Sequence, residues 1–473
     1  MNKRSKRYIL QIFSGLLVLL AFPFIGLHGL IILFTLIFLS VKLVSNNQKL
    51  YFTVSNELFD YHERTPYKIN SIISNVHHLF LSVLILLIIA LVLELTPYSL
   101  PLFIVGSAFG LSIIGDCAAS IINDHKESKY RSLGNFDYST KTIYSHNCRY
   151  CTLPSTSGFL AAGIIAAFLA GFWIVYNESG SVPYNIIIFV SVIGAMTGAL
   201  FESIPSNVDD MFSVPLSSSM VMWMFFDFGY TASPYEIAGA LLFSLFLAYM
   251  AYRVRIADIS ALISATLLGV LIIIFSNILW FVLLLTFFIL GGAFTKYRYK
   301  YKESIGIAQS KGGVRTYDNV FSNSIAALAL AISYGIFPQH SDLIVYAYLG
   351  AVATATGDTL ASEIGTTSSS KPRMITNFKT TEPGADGAVS FLGEIAALAG
   401  SAIIGILAVA FGLTESALLA IMVTSLSGLL GTNVDSLLGA TLQKYDILSN
   451  SGVNLVSTIA GAIIAGVIFL LIT

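Results

Sequence analysis

The amino-acid sequence predicts an all-α polytopic integral membrane protein of about fifteen transmembrane helices, and three observations carry that expectation. Of its 473 residues 56% are hydrophobic and only 11% charged, with a mean hydropathy of +0.80; a soluble domain carries about 25% charged residues. Apolar runs of about 17 to 25 residues recur along the whole chain, each long enough to cross a hydrocarbon core of about 30 Å as a helix. No segment alternates apolar and polar residues in the manner of a barrel strand. Lipid admits only helices and closed barrels, because every backbone N–H and C=O must be satisfied internally.

Taken in chain order, the runs place spans at 8–24, 25–44, 75–95, 99–122, 156–177, 184–204, 212–231, 235–254, 257–275, 277–295, 317–335, 341–361, 386–411, 413–432 and 452–472. The first run follows Lys3, Arg4, Lys6 and Arg7 as a signal peptide would. No small-residue cleavage site separates it from the next run, so it is expected to be retained. Lys and Arg concentrate on the cytoplasmic side of short loops. With the N-terminus inside, all 25 fall on the inner face: the N-terminal run, Lys42 to Lys68, Lys126 to Arg149, Arg253 and Arg255, Lys296 to Arg315, Lys371 to Lys379, and Lys444. The opposite loops contain none, so one test supports both the span count and an N-in, C-out topology. The expected setting is the cell membrane, with polar sites facing the cytoplasm. Cys117, Cys148 and Cys151 fall on that reducing side, and no structural disulfide is expected. The net charge of −1 and the topological role of the basic loops leave nucleic acid unsupported as a partner.

Five polar landmarks recur in the same order along the chain. Arg7 followed by Ile12-Phe13-Ser14 is echoed by Arg315 followed by Val320-Phe321-Ser322. Gly115-Asp116-Cys117-Ala118-Ala119-Ser120 matches Gly357-Asp358-Thr359-Leu360-Ala361-Ser362, and Lys141-Thr142 matches Lys379-Thr380. Pro154, Gly158 and Gly171 match Pro383, Gly387 and Gly400, and Asn207-Val208-Asp209 matches Asn433-Val434-Asp435. In the predicted topology both Gly-Asp pairs and both Asn-Val-Asp triplets lie near inner helix ends. The expectation is two diverged repeats in parallel orientation, dividing the chain into 1–255 and 256–473.

Ionisable residues inside spans cost at least about 2.5 kcal/mol each and call for a partner, a cavity or a function. Asp116, Glu202, Asp358, Glu363, Glu394 and Asp435 are such residues. Pairing with inner-face Lys or Arg is the plain alternative, weakened for Asp116, Asp209, Asp358 and Asp435 by their recurrence. The segment GTTSSSKPRMITNFKTTEPGADG, from Gly365 to Gly387, sets Lys371, Arg373 and Lys379 among hydroxyls and turn residues, downstream of Asp358 and Glu363 and ahead of Asp386. Cations and backbone N–H groups suit phosphate, while carboxylates suit Mg²⁺, which bridges substrate phosphates. Phosphoryl transfer needs both; a solvated basic loop needs neither. No GxxxxGK[ST] is present, which excludes a P-loop. Between Lys-Thr and Pro the first half carries nine extra residues, with His146, Cys148 and Cys151. Zinc would require four ligands, with Cys117 and His125 as supplements; free thiols are the simpler reading.

On these motifs residues 257–473 resemble the plant phytyl-phosphate kinase family, through GDTLASEIG, KPRMITNFKTTEPGADGAVSFLGE, VDSLLGATLQ, Asn450 and Asn454. Residues 1–255 more faintly resemble the phytol and dolichol kinase family, through GDCAAS, Lys141-Thr142 and ALFESIPSNVDDMFSVPL, although Gln11 stands where that family usually has His. The resemblance implies a polyprenol kinase half joined to a prenyl-phosphate kinase half. A nucleoside triphosphate, CTP in the relatives, would then phosphorylate a prenyl alcohol of the phytol or geranylgeraniol type, its monophosphate, or both, to a prenyl diphosphate. It assigns Mg²⁺ to Asp358 and Asp435, phosphate neutralisation to Lys379 with Lys371 and Arg373, and a metal or base role to Asp386. Asp116, Asp209, Asp210, Lys141 and Glu202 take the parallel parts, Asp116 and Asp209 as magnesium ligands. Glu363, Asn319, Asn323 and Asn433 are candidate binding residues. A CTP-dependent lipid cytidylyltransferase would need similar groups, and a secondary transporter also combines repeats with intramembrane acids.

Overall fold

Backbone groups that cannot reach water bond within their own segment, and each of the fifteen apolar runs contains helix in the computed structural model, the run expected at 386–411 becoming helical only at Phe391 because its first residues belong to a β-ribbon. It describes residues 3–47, 53, 66–132, 152–178, 182–204, 208–230, 232–308 and 313–473. The first helical element, α1 (Lys3–Asn46), contains two expected spans and breaks at Gly26, whose φ of 69° and ψ of 172° leave the helical region just after Pro23. Twelve residues of straight helix rise about 18 Å. The Phe22 and Phe34 ring centroids, twelve positions apart, lie 6.0 Å from each other, so the chain folds back at Gly26. Among the described residues twelve helices are long and apolar enough to cross a membrane, with α1 counted once. Two expected spans fall short by length or polarity: α6 (Asp210–Asp227), with an Asp at each end, and the 17-residue α8 (Ile259–Phe275).

The chain forms two compact units, Met1–Tyr235 and Glu236–Thr473, so the division comes about 20 residues ahead of the one expected from sequence. Helix α7 (Pro234–Arg253) joins the second unit because its apolar face meets later helices: Phe243 lies against Phe281, ring centroids 6.2 Å apart. The first unit holds α1, α2 (Pro66–Leu93), α3 (Leu102–Ser132), α4 (Leu153–Asn177), α5 (Tyr184–Ser203) and α6. Helix α3 packs on α4, where Ser107 Oγ donates to the Ala167 carbonyl at 2.8 Å.

In the second unit, α8, α9 (Ile278–Lys296), α10 (Tyr299–Ser304), α11 (Tyr317–Ile336), α12 (Ser341–Gly365), α13 (Phe391–Ala410), α14 (Ala417–Leu438) and α15 (Asn450–Ile472) follow α7. The central element is α12, which packs against α9, α11, α13, α14 and α15. Small residues permit that crowding. A Cβ on Gly350 would stand 2.5 Å from the Gly461 carbonyl of α15. Hydroxyls join the helices where they touch: Thr354 Oγ1 donates to the Ser427 carbonyl at 3.3 Å, and Ser401 Oγ to the Ala353 carbonyl at 3.1 Å. Outward residues are apolar too, including Leu242, Phe246, Ile463 and Leu470, as expected where the surrounding medium is hydrocarbon.

One buried ion pair ties the short α10 to α12. Lys302 Nζ donates to Glu363 and, at 2.9 Å, to the Thr295 carbonyl, while Thr295 Oγ1 donates to Glu363 Oε1 at 2.9 Å. Both charged residues are buried.

Candidate functional site

The polar end of α12 opens into a cavity of about 290 Å³ built entirely within the second unit. Asp358 lies seven residues before the end of α12 and Asp435 three before the end of α14, about 10 Å and 5 Å from those ends at 1.5 Å per residue. Their carboxylates line the same space, near enough for the two charges to interact. Ser457 of α15 donates to Asp435 Oδ2 at 2.9 Å and fixes one face of that carboxylate. Four residues after Asp435 the helix widens into a π-helical turn, Gly439–Gln443, a distortion that recurs at functional sites; Ser436, Gly439 and Gln443 all line the cavity.

The remaining wall is the segment between α12 and α13. It folds as a short antiparallel ribbon, β1 (Arg373–Met374) on β2 (Ala388–Val389), and presents Pro372 and the run from Pro383 to Ser390 to the cavity. Gly387 lets it close. Its φ of +77° is a conformation side-chain-bearing residues rarely adopt, and a Cβ there would lie 2.4 Å from the Ala440 Cβ and 2.6 Å from the Ser436 carbonyl. Gly387→Ala is expected to cost about 1–3 kcal/mol, seen as a lower unfolding midpoint of the detergent-solubilised protein. An unchanged midpoint would mean that the ribbon is not seated on α14.

Arg315 is the cation at this cavity. In the sequence it stands out only as a repeat and topology marker. Its backbone is pinned ahead of α11, its N–H donating to the Ile256 carbonyl at 2.7 Å and its carbonyl accepting from the Asp258 N–H at 3.0 Å. The side chain is 7% exposed, and its Nε and Nη2 are buried without a hydrogen-bond partner among the described residues. Gly291 of α9 makes room for it, since a Cβ there would meet Nη2 at 2.9 Å. Burial pushes the guanidinium's pKa down, while the nearby Glu363 and Asp358 carboxylates oppose that shift. Arginine remains charged in proteins, so a buried cation with two unsatisfied donors stands near two carboxylates and the open cavity.

The other expected site residues divide. Asp386, Glu394, Asn319 and Asn323 line the cavity, as do Asn450 and Asn454. Asn319 Oδ1 accepts from the Thr316 N–H at 3.1 Å in a capping box that opens α11, and Asn323 Nδ2 donates to the Asn319 carbonyl at 3.0 Å. Lys371, Arg373 and Lys379 do not line it. They are exposed on the outer side of the ribbon, Lys371 at 3.6 Å from Glu382 and Arg373 donating to the Phe378 carbonyl at 3.1 Å. Flexible, strongly hydrated side chains keep their charge in water when an outward position is open. Glu363 is not in the lining either, its carboxylate being engaged by Lys302 and Thr295. Asn433 supports the wall from behind, donating to Glu394 Oε2 at 3.0 Å.

In the first unit Asp116, Glu202 and Asp210 converge with Ser112 on a cavity of about 10 Å³, room for about one water. Gln11 Nε2 donates to Asp116 Oδ2 at 3.3 Å and Thr156 Oγ1 to Glu202 Oε2 at 3.2 Å. Asp209 instead caps α6, accepting from the Met211 N–H at 2.9 Å, and its other oxygen lies 3.3 Å from His78 Nδ1. Lys141, His146, Cys148 and Cys151 lie outside the described residues, and Cys117 is a buried free thiol. Among the described residues no group of three or more His, Cys, Asp or Glu side chains is placed to cage a metal. Two facing carboxylates fit the magnesium mode in which one or two protein oxygens share the ion with substrate phosphates.

The stretch that matches a known family lies within the second unit. The chain is similar to an uncharacterized membrane protein of Methanocaldococcus jannaschii, 34% identical over 224 residues, which cover 47% of this chain and 90% of the relative. It is similar to Protein PGR of Arabidopsis thaliana, 30% identical over 272 residues, 48% of this chain and 94% of the relative. The chloroplastic Protein VTE6 of the same plant is 28% identical over 192 residues, 39% of this chain and 57% of the relative. No solved structure matches the chain. Through residues 242–462, which contain Arg315, Asp358, Asp386 and Asp435, the chain belongs to the integral membrane protein family DUF92.

Proposed function

We propose that the second unit is a prenyl-phosphate kinase, transferring the terminal phosphoryl group of a nucleoside triphosphate, CTP by resemblance, to a prenyl monophosphate at the cytoplasmic face. The observation that carries this reading is the convergence of Asp358, Asp435 and Arg315 on one cavity at the end of the membrane helices. Its volume of about 290 Å³ is at the lower end of the range for small-molecule sites. Carboxylates for a nucleotide-bound Mg²⁺ and a buried cation for phosphate are the two parts that phosphoryl transfer requires. The motif resemblance of this half to phytyl-phosphate kinases points the same way.

In the transfer, an oxygen of the lipid phosphate attacks the γ-phosphorus, the bond from that phosphorus to the β-bridging oxygen breaks, and the nucleoside diphosphate leaves. A phosphate acceptor brings its own charged oxygen, so no general base is demanded; Asp386, exposed at the cavity mouth, would serve one only for an alcohol. When bound, Mg²⁺ would neutralise charge on the transferring phosphoryl group. Arg315 would hold an anionic oxygen of the substrate, Asp358 and Asp435 would hold the cation, and the ribbon would limit entry of water. The first unit, with Asp116, Glu202 and Asp210 around its small cavity, is assigned the preceding step, from prenyl alcohol to monophosphate. Placement near helix ends rather than at the midplane favours an interfacial enzyme over a carrier.

The test is incubation of the purified protein in detergent with Mg²⁺, CTP or ATP, and geranylgeraniol or its monophosphate, resolving the lipid products. Conversion of monophosphate to diphosphate is expected. A CDP-lipid would redirect the assignment to a cytidylyltransferase, and no turnover of any prenyl acceptor would overturn it. Asp116→Asn should block only the alcohol step; loss of both steps would mean a single shared site.

A further inference from the structure

Arg315 lies on the wall between two unlike spaces. One is the polar cavity of Asp358 and Asp435. The other, about 60 Å³, is lined by α7, α8 and α9 through Leu247, Ala251, Ala265, Phe281 and Phe288, with Arg315 itself the one charged residue in its lining. The polar chamber is lined by residues of the second-half motifs in α12 and beyond, and the apolar one by none of them. Together they form a polar chamber and an apolar chamber sharing a buried guanidinium whose Nε and Nη2 have no partner among the described residues. Leaving buried donors unsatisfied is costly. An anionic group of a ligand reaching between the chambers would satisfy them.

We infer that the acceptor lipid binds across Arg315, with its phosphate on the guanidinium facing Asp358 and the hydrocarbon next to that phosphate in the apolar space between α7, α8 and α9. This rests on the kinase reading for the identity of the headgroup, while the choice of helices and of Arg315 rests on the two cavities. The apolar space takes the head-proximal end of one chain and no more, so the rest of the tail continues into the bilayer past the outward apolar residues of α7, such as Leu242 and Phe246. The arrangement selects an anionic single-chain lipid over the corresponding alcohol, because the alcohol leaves the guanidinium unsatisfied.

The experiment is photolabelling of the full-length protein in detergent with a geranylgeranyl monophosphate bearing a diazirine on the isoprene unit nearest the phosphate, followed by peptide mapping. Label is expected in peptides of α7 to α9, reduced at least tenfold by excess unlabelled prenyl monophosphate and not by geranylgeraniol or inorganic phosphate. Label in other helices, or label that the monophosphate does not displace, would overturn the inference. Kinetics supply the second arm. Arg315→Gln should raise KM for the lipid monophosphate at least tenfold with KM for CTP unchanged, Arg315→Lys should recover part of the loss, and Ala265→Leu, which fills the apolar space, should raise the lipid KM alone. An equal rise in both KM values, or none, would count against it. Competed labelling of α7 to α9 without turnover would retain the lipid site and discard the kinase; turnover with labelling elsewhere would do the reverse.

Discussion

Asp358→Asn is expected to lower prenyl diphosphate formation by about three orders of magnitude, about 4 kcal/mol of transition-state stabilisation, while leaving the fold intact. Asn keeps the shape of the side chain and removes the charge, so the nucleotide's cation would be held by Asp435 without its companion carboxylate. The sign of the stability change separates a catalytic role from a structural one. Asp358 and Asp435 line one cavity closely enough to repel each other, while Arg315 attracts Asp358; neutralising a buried carboxylate relieves both that repulsion and its desolvation, which together outweigh the lost attraction. The thermal midpoint of the ligand-free variant should therefore stay level or rise as activity falls. A midpoint that drops with activity would assign Asp358 to helix packing and withdraw it from the site.

Lys302→Met is expected to give the largest loss of stability, about 3–5 kcal/mol, because it strips the paired cation from a carboxylate that is itself buried. Lys302 is 3% exposed and Glu363 5% exposed, and the ammonium also holds the Phe294 and Thr295 carbonyls at the end of α9, at 3.2 and 2.9 Å. Replacing both residues, as Lys302→Met with Glu363→Leu, should recover most of the loss, since an apolar pair of similar volume avoids the desolvation of two ions. Unfolding midpoints in one detergent check both statements. A double variant no better than Lys302→Met would show that the carbonyl contacts, rather than the ion pair, matter.

These two carboxylates show what sequence reading resolves and what it does not. Asp358 and Glu363 are five residues apart on α12 and looked equally fit to meet a nucleotide. A helix turns 100° per residue, so five residues set them on different faces. One faces the cavity and the other faces Lys302. The cations divide similarly. Lys371, Arg373 and Lys379 stand out in sequence because they lie within the motif, yet all three are exposed. Arg315 stands between two apolar helices, 43 residues before Asp358, and no spacing rule connects it to that carboxylate. The ribbon was legible as a turn-rich loop through its Pro and Gly residues, but its closure onto Ser436 and Ala440 was not.

By itself, the sequence determined that the protein is helical and lives in lipid, about where along the chain the helical runs fall, and which acids in them call for a partner, a cavity or a function. Those properties follow from local hydropathy and from the requirement that backbone groups in hydrocarbon bond to one another. Tertiary structure alone decided the fold-back at Gly26, the inclusion of α7 in the second unit, the commitment of Glu363 to Lys302, and the meeting of Arg315, Asp358 and Asp435. Each of these depends on which faces of distant helices come together, and that is set by small-residue packing and charge desolvation across the bundle rather than by the order of residues along any one helix.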